Sequence, residues 1–383
     1  MTIAHHADGI ARTRDRGRQI EGLHELPQPL LSRLLAARPD ARRDGELPLL
    51  PHDVDWYAVA REAESHAIRP LFGHRLAGLG LVAELPEKVA GALEADCRHA
   101  RIQHSLQQRD AERISAAMTA ASVRHAFLKG FAYRQLLYSP PWVRLSGDID
   151  ILVDRANVDV ARAVLRELGF TQASCAADYQ NYRPATPQEI AEVEARHHEL
   201  AQFVRNFRLE NAPTWLLERP YVQRPPFAFE WVDGAPTLHS CVDVHWALHF
   251  WFARATPLDH LDQAEGLPRL RLEWNLLFSS FKLYFESFDR PRHGFAQLAD
   301  LAALLELPVD WPLLRSLVRA WRLEDAAFYA LSAAERLSGR RVLPAALLDE
   351  WAQPARGRVG GGDFVPFLVG RRVPGDFLWR SGP

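Results

Sequence analysis

The sequence predicts an α+β fold, a small mixed-sheet core set between helical regions at its two ends. Three observations carry that expectation. Apolar residues recur at three- and four-residue spacing from about residue 56 to 120 and again after residue 256, the period of helices packed on one face. Between them the period drops to two, over short β-branched runs such as "DIDILV" and "CVDVHW". The chain has 383 residues, 48% hydrophobic and 25% charged, the make-up of a globular protein able to bury a real core.

Taken in order, residues 1–25 are polar, arginine-rich and aperiodic, and read as a disordered arm. Region 26–120 reads as helical. In "DVDWYAVAREAESHAIRPLF" the residues Trp56, Val59, Ala60 and Ala63 mark one face, Asp53 or Asp55 offers an N-cap, and Pro70 punctuates. A longer helix starts near Pro86, with Val89, Leu93, Leu106, Ile114 and Met118 on or near one stripe. Region 121–255 is the expected core. "RHAFLKG" reads as a strand ending at Gly130, "FAYRQLLY" as a helix stopped by Ser139-Pro140-Pro141, and "DIDILVD" as a second strand. "NVDVARAVLRELG" is an amphipathic helix with Gly169 as its stop, and "FTQAS" a third strand. "HHELAQFVRN" and "TLHSCVDVHWAL" follow as strands, separated by a proline- and aromatic-rich insert. Region 256–353 returns to helices, the first with Leu276, Leu277, Phe281, Tyr284, Phe285 and Phe288 on a broad apolar face. The tail, 354–383, is glycine- and proline-rich yet aromatic, a composition suited to docking on the body or on a partner.

Charge and cysteine usage exclude several classes. Lys plus Arg (46) nearly balances Asp plus Glu (48), so no global field draws the protein to nucleic acid or to an anionic membrane. Cys97, Cys175 and Cys241 have no C-x-x-C spacing, which argues against a disulfide framework or a cysteine-built zinc site. The start has no apolar stretch of signal-peptide length. A soluble, cytoplasmic protein is expected.

The informative stretch is "VRLSGDIDILV". Along a strand Asp148 and Asp150 share one face, roughly 7 Å apart, while Ile149, Ile151 and Val153 take the other. Two carboxylates at the mouth of a buried strand are costly without compensation. A divalent cation with hard oxygen ligands, Mg²⁺ or Mn²⁺, would supply it; so would a role as turn caps. Upstream, Lys129-Gly130 closes a strand and opens a helix, a junction that aims backbone N–H groups and one ammonium at an anion, although a lysine there also simply reaches solvent. Asp243 sits in mid-strand in "CVDVHW", with Cys241 and His245 on its face. If that strand lies beside the first, three acids meet. Arg144 and Ser146 approach the same place, Arg144 equally able to pair with Asp148 or Asp154 as a structural tie. His198 and His245 fit either acceptor orientation and proton transfer or a satisfied structural histidine. The pair His245 and His249 lacks the glutamate of H-E-x-x-H, and zinc on that pair is not expected.

Together "FLKG", "RLSGDIDILV" and "VDVHW" resemble the nucleotidyltransferase superfamily, and within it the uncharacterised nucleotidyltransferase family, over roughly residues 50 to 310. The resemblance implies a palm-like sheet and Mg²⁺-dependent transfer of a nucleoside monophosphate from a nucleoside triphosphate with release of pyrophosphate. It implies that Asp148, Asp150 and Asp243 bind metal and act in catalysis, and that Lys129, Gly130, Arg144 and Ser146 bind the nucleotide. One departure is that Phe131 follows Gly130 where the superfamily places serine. A small molecule, sugar or peptide acceptor is expected rather than nucleic acid or membrane, in a tailoring step of a biosynthetic pathway. The rival readings are a non-catalytic nucleotide- or peptide-binding protein on the same fold, and γ-phosphoryl transfer.

Overall fold

The computed structural model describes residues 54–174, 182–209, 229–233, 235–262, 266–289, 294–338 and 340–358. The expected arm, most of the expected tail and Cys175 lie outside them.

Helix α1 (Trp56–Ser65) starts where Asp55 accepts a hydrogen bond from the Ala58 amide at 3.0 Å, so the aspartate acts as the N-cap. With α2 (Arg69–Gly78) and the long α3 (Glu87–Ala120) it buries Val59, Phe72, Leu76 and Leu93 against Phe295 of a later helix. The two helical regions therefore meet. On α3 the buried face is more polar than the sequence stripe suggested: Gln103, Gln107 and Asp110 are buried, whereas Leu106 is only partly so.

The core follows as β1 (His125–Phe127), α4 (Lys129–Leu137), β2 (Ile149–Val153), α5 (Val158–Glu167) and β3 (Thr171–Ser174). It continues through β4 (Arg183–Pro184), α6 (Pro187–Arg196), β5 (Phe203–Arg208), β6 (Phe229–Val232) and β7 (Ala235–His245). The strand order is β1-β2-β7-β5-β3-β4, with β6 also paired to β7. Among these pairs β2 and β7 run parallel and the rest antiparallel, which makes the sheet mixed as expected.

The parallel pair sets the register that matters. Ile149 lies opposite Val242, Asp150 opposite Asp243 and Ile151 opposite Val244. Ile149, Ile151, Val153, Val242, Val244 and Phe203 are almost fully buried on one face. Each such side chain contributes roughly 1.5–3 kcal/mol, so a one-residue slip that carried the aspartates into the core would be prohibitive. Helix α3 crosses that apolar face: Ile102 and Leu106 pack near Leu238 and Phe207, and Asp110 pairs with Arg205.

Four elements differ from the sequence reading, the unexpected two-residue strand β4 among them. The strand expected over "HHELAQFVRN" begins only at Phe203, and the residues before it bend, joined to β7 by a lone bridge between Glu199 and His245. Helix α6 is additional, started by a capping box in which Thr186 and Glu189 satisfy each other's backbone amides. Strand β6 falls within the insert read as a loop.

Helices α7 (Leu272–Asp289), α8 (Gly294–Leu304), α9 (Trp311–Trp321), α10 (Glu324–Ser338) and α11 (Ala345–Arg358) complete the described chain. Leu276, Leu277, Phe281 and Tyr284 of α7 are buried, as their spacing predicts. No helix among the described residues is long and apolar enough to cross a membrane. Two polar ties fasten α4 to this layer: the Tyr133 hydroxyl lies 2.6 Å from Ser279 Oγ on α7, and the Tyr138 hydroxyl donates to Asp300 Oδ1 on α8 at 2.7 Å.

Candidate functional site

The site lies on the face of the sheet opposite α3, where β2 and β7 run side by side. Since Asp150 and Asp243 are direct neighbours across a parallel ladder, their side chains leave the sheet together, and Asp148 joins them from the loop before β2. One carboxylate oxygen from each of the three lies within 4.8 Å of the others. The three acids read from separated stretches of sequence therefore converge.

Their environments are unequal. The Lys129 ammonium is 2.5 Å from Asp150 Oδ1, and His245 Nε2 is 2.8 Å from the same oxygen. Burial disfavours the Asp150 charge, but Lys129 and His245 outweigh it and hold the carboxyl well below its ordinary range. Asp148 is pushed up to about 6, by burial first and then by Asp150, against the pull of Lys129 and Lys282. Asp243 is raised well above its ordinary value by burial, then by Asp148, Asp150 and Glu199. Its only hydrogen bond to an uncharged side chain among those described comes from Gln202 Nε2, at 2.9 Å. The closest cation, Lys129, is committed to Asp150, and the more distant pull of Lys282 leaves Asp148 and Asp243 under-compensated.

Lys129 reaches Asp150 from an unusual backbone. Its φ of +53° lies in the left-handed region, which costs a non-glycine residue roughly 1–2 kcal/mol. Burial disfavours its charge, while Asp150 and then Asp148 hold the ammonium ionised above its ordinary range. Gly130 follows because its surroundings are tight: a Cβ there would lie 3.2 Å from the Arg144 guanidinium and 3.4 Å from Ser146 Oγ.

Arg144 is directed away from the carboxylates. It forms a two-pronged pair with Asp300, at 2.8 Å from Nε to Oδ1 and 2.6 Å from the far guanidinium nitrogen to Oδ2, rather than with Asp148 or Asp154. Asp154 instead pairs with Arg124. Ser146 Oγ donates to the Asp148 carbonyl at 2.8 Å, and Gln103 and Gln107 of α3 each donate to the Ser146 carbonyl at 3.2 Å. The loop that presents Asp148 is therefore fixed from inside and from behind, which gives the buried glutamines of α3 their purpose.

His198 and His245 are brought together, with ring centroids 5.5 Å apart and nearly stacked. Burial, then the charges of His245, His249, Lys129 and Lys282, push His198 down to about 3. His249 is spent locally, its Nδ1 accepting from the Trp251 amide at 3.1 Å.

Four participants escaped the sequence reading. Glu199 places Oε2 3.1 Å from His245 Nδ1, Gln202 holds Asp243, Asp300 holds Arg144, and Lys282 of α7 is close enough to bias both Asp148 and His198. Lys282 carried a signal: it is a lone lysine inside the apolar run "LLFSSFKLYF".

Three carboxylates presented together on a rigid sheet make a donor set that could hold a divalent cation. The family model described as uncharacterised nucleotidyltransferase matches residues 52–339, and the chain belongs to that family. The resemblance carried by "FLKG", "RLSGDIDILV" and "VDVHW" is thereby borne out, and it extends over the flanking helices. Among curated proteins none matches the chain.

Proposed function

We propose that the protein is a divalent-cation-dependent nucleotidyltransferase that moves a nucleoside monophosphate from a nucleoside triphosphate to a small-molecule, sugar or peptide acceptor, releasing pyrophosphate in a tailoring step of a biosynthetic pathway. The observation that carries the reading is the convergence of Asp148, Asp150 and Asp243 within 4.8 Å, beside Lys129. The residues fit Mg²⁺ or Mn²⁺: burial and mutual repulsion raise Asp148 and Asp243, the expected state of carboxylates that lack their cation. When bound, the ion supplies Lewis-acid polarisation of phosphate oxygens and neutralises charge on the departing pyrophosphate.

The chain's own groups do the remaining work. The acceptor oxygen attacks the α-phosphorus as the bond to the bridging oxygen breaks, and the acceptor proton passes to Asp243, the carboxylate that no cation among the described residues holds directly. Lys129 and Lys282 present ammonium groups to the triphosphate. Gly130 and Ser146 keep the turn close and the Asp148 loop still, and Arg144, locked to Asp300, braces both. His198 and His245, neutral in this setting, line the acceptor side.

The test is pyrophosphate release from each of the four nucleoside triphosphates with a panel of hydroxyl and amine acceptors, with and without Mg²⁺. Release that requires Mg²⁺ and disappears in Asp243→Asn is expected. Nucleoside diphosphate as the by-product would replace the reading with γ-phosphoryl transfer. Tight nucleotide binding without turnover, indifferent to Asp243→Asn, would replace it with a binding protein.

A further inference from the structure

A second group of donors sits against the aspartates without belonging to them. His245 gives Nε2 to Asp150 Oδ1 at 2.8 Å. Its other nitrogen, Nδ1, is buried, has no hydrogen-bond partner and lies 3.1 Å from Glu199 Oε2. The backbone enforces that approach, because Glu199 and His245 face each other across an antiparallel bridge. His198, the residue before Glu199, stacks its ring on His245. One donor atom from each of His198, Glu199 and His245 lies within 4.8 Å of the others.

An imidazole that donates its single proton through Nε2 turns a lone pair outward at Nδ1. Here that lone pair meets a carboxylate oxygen, acceptor against acceptor, with the imidazole buried and Glu199 partly exposed. Such an encounter is unfavourable unless a proton or a metal cation lies between the two atoms. The separation fits one, since tetrahedral bonds of about 2.0–2.1 Å set neighbouring donors roughly 3.3 Å apart. The Asp150 carboxylate behind His245 completes the arrangement by which a carboxylate fixes the tautomer and orientation of a ligating histidine. The i, i+4 pair of His245 and His249 is a different matter, because His249 Nδ1 is already engaged by a backbone amide.

We propose that His198, Glu199 and His245 form a second cation site, separate from the aspartate triad, that takes a zinc-class transition metal through two imidazoles and one carboxylate. Three protein ligands of this kind leave a fourth position for a water or an acceptor oxygen. The proposal stands apart from the chemistry assigned to the triad, because a nitrogen-rich set selects Zn²⁺, Co²⁺ or Ni²⁺ over Mg²⁺.

The experiment titrates Co²⁺ into the full chain after chelator treatment. It reads the visible d–d band of four-coordinate cobalt, with metal content measured after gel filtration and Zn²⁺ used to displace the band. Wild type and the Asp148→Asn/Asp243→Asn variant should both take one His198-dependent equivalent. His198→Ala and Glu199→Gln, each shown to be folded by circular dichroism, should bind at least tenfold more weakly. Absence of the band in wild type, an affinity unchanged by either His198→Ala or Glu199→Gln, or loss of binding in the Asp148→Asn/Asp243→Asn variant would each overturn the assignment.

Discussion

Replacing Asp148 by asparagine should make the metal-free protein more stable while removing its Mg²⁺ response. In the fold the carboxyl is pushed from 3.8 up to about 6. Between those values the folded state binds the proton that the unfolded state has lost, so stability falls as pH rises through the window and stays low above it. A rise of that size corresponds to about 3 kcal/mol at pH 8, lessened by the solvent contact that Asp148 keeps. Asparagine keeps the shape and hydrogen-bonding reach but carries no charge. The expected gain is about 1–3 kcal/mol at pH 8, shrinking towards zero near pH 4. Urea unfolding of both proteins at pH 8 and pH 5, with and without Mg²⁺, measures it. Mg²⁺ should stabilise wild type and leave the variant nearly unchanged. A variant less stable than wild type at pH 8 in chelator, or equally stabilised by Mg²⁺, would refute the account of an acidic cluster awaiting a cation.

Other substitutions probe the supports. Lys129→Met should cost about 3 kcal/mol, because it strands the Asp150 charge with only a histidine, and should weaken triphosphate binding by at least tenfold; unfolding and calorimetric titration read the two effects. Asp300→Asn should lower the unfolding free energy by about 3 kcal/mol, since the buried Arg144 loses its counter-charge and one prong of its two-pronged pair. His104 is held down at about 4 by burial and then by Arg134, so the unfolded chain takes up its proton first as pH falls, and stability is lost between about 6.5 and 4. His104→Gln should therefore lose about 1 kcal/mol less than wild type between pH 7 and pH 5, a figure reduced for solvent screening.

The parts of this fold that were legible share a physical cause. "DIDILV" and "CVDVHW" announce themselves because alternation gives one face to the core and because a charge in mid-strand needs a reason. Gly169 and Asp55 were readable as a stop and a cap because those roles are local. What escaped depends on partners far along the chain. Asp300 lies 156 positions from the arginine it holds, so the sequence showed a cation near the site but not which acid had claimed it. The buried glutamines of α3 repeat at the same period as a solvated face, and only the Ser146 carbonyl, which needs donors, tells the two apart. Glu199 was hidden because the stretch read as one strand bends before Phe203, and the bend turns Glu199 towards His245.

The parallel register of β2 and β7 explains why the three carboxylates differ in kind. Side by side on a rigid ladder, Asp150 and Asp243 cannot relax apart, so compensation had to come from outside the pair. Lys129 and His245 both went to Asp150, the most buried of the three. That carboxylate is satisfied in the absence of any ligand and ties the left-handed Lys129 turn to the sheet, which makes it as much a structural member as a ligand. Asp148 and Asp243 are left to repel each other, and their strain is relieved only by protons or by a cation. For this reason substitution at Asp243 isolates the proposed chemistry better than substitution at Asp150, which would also release Lys129 and unseat His245.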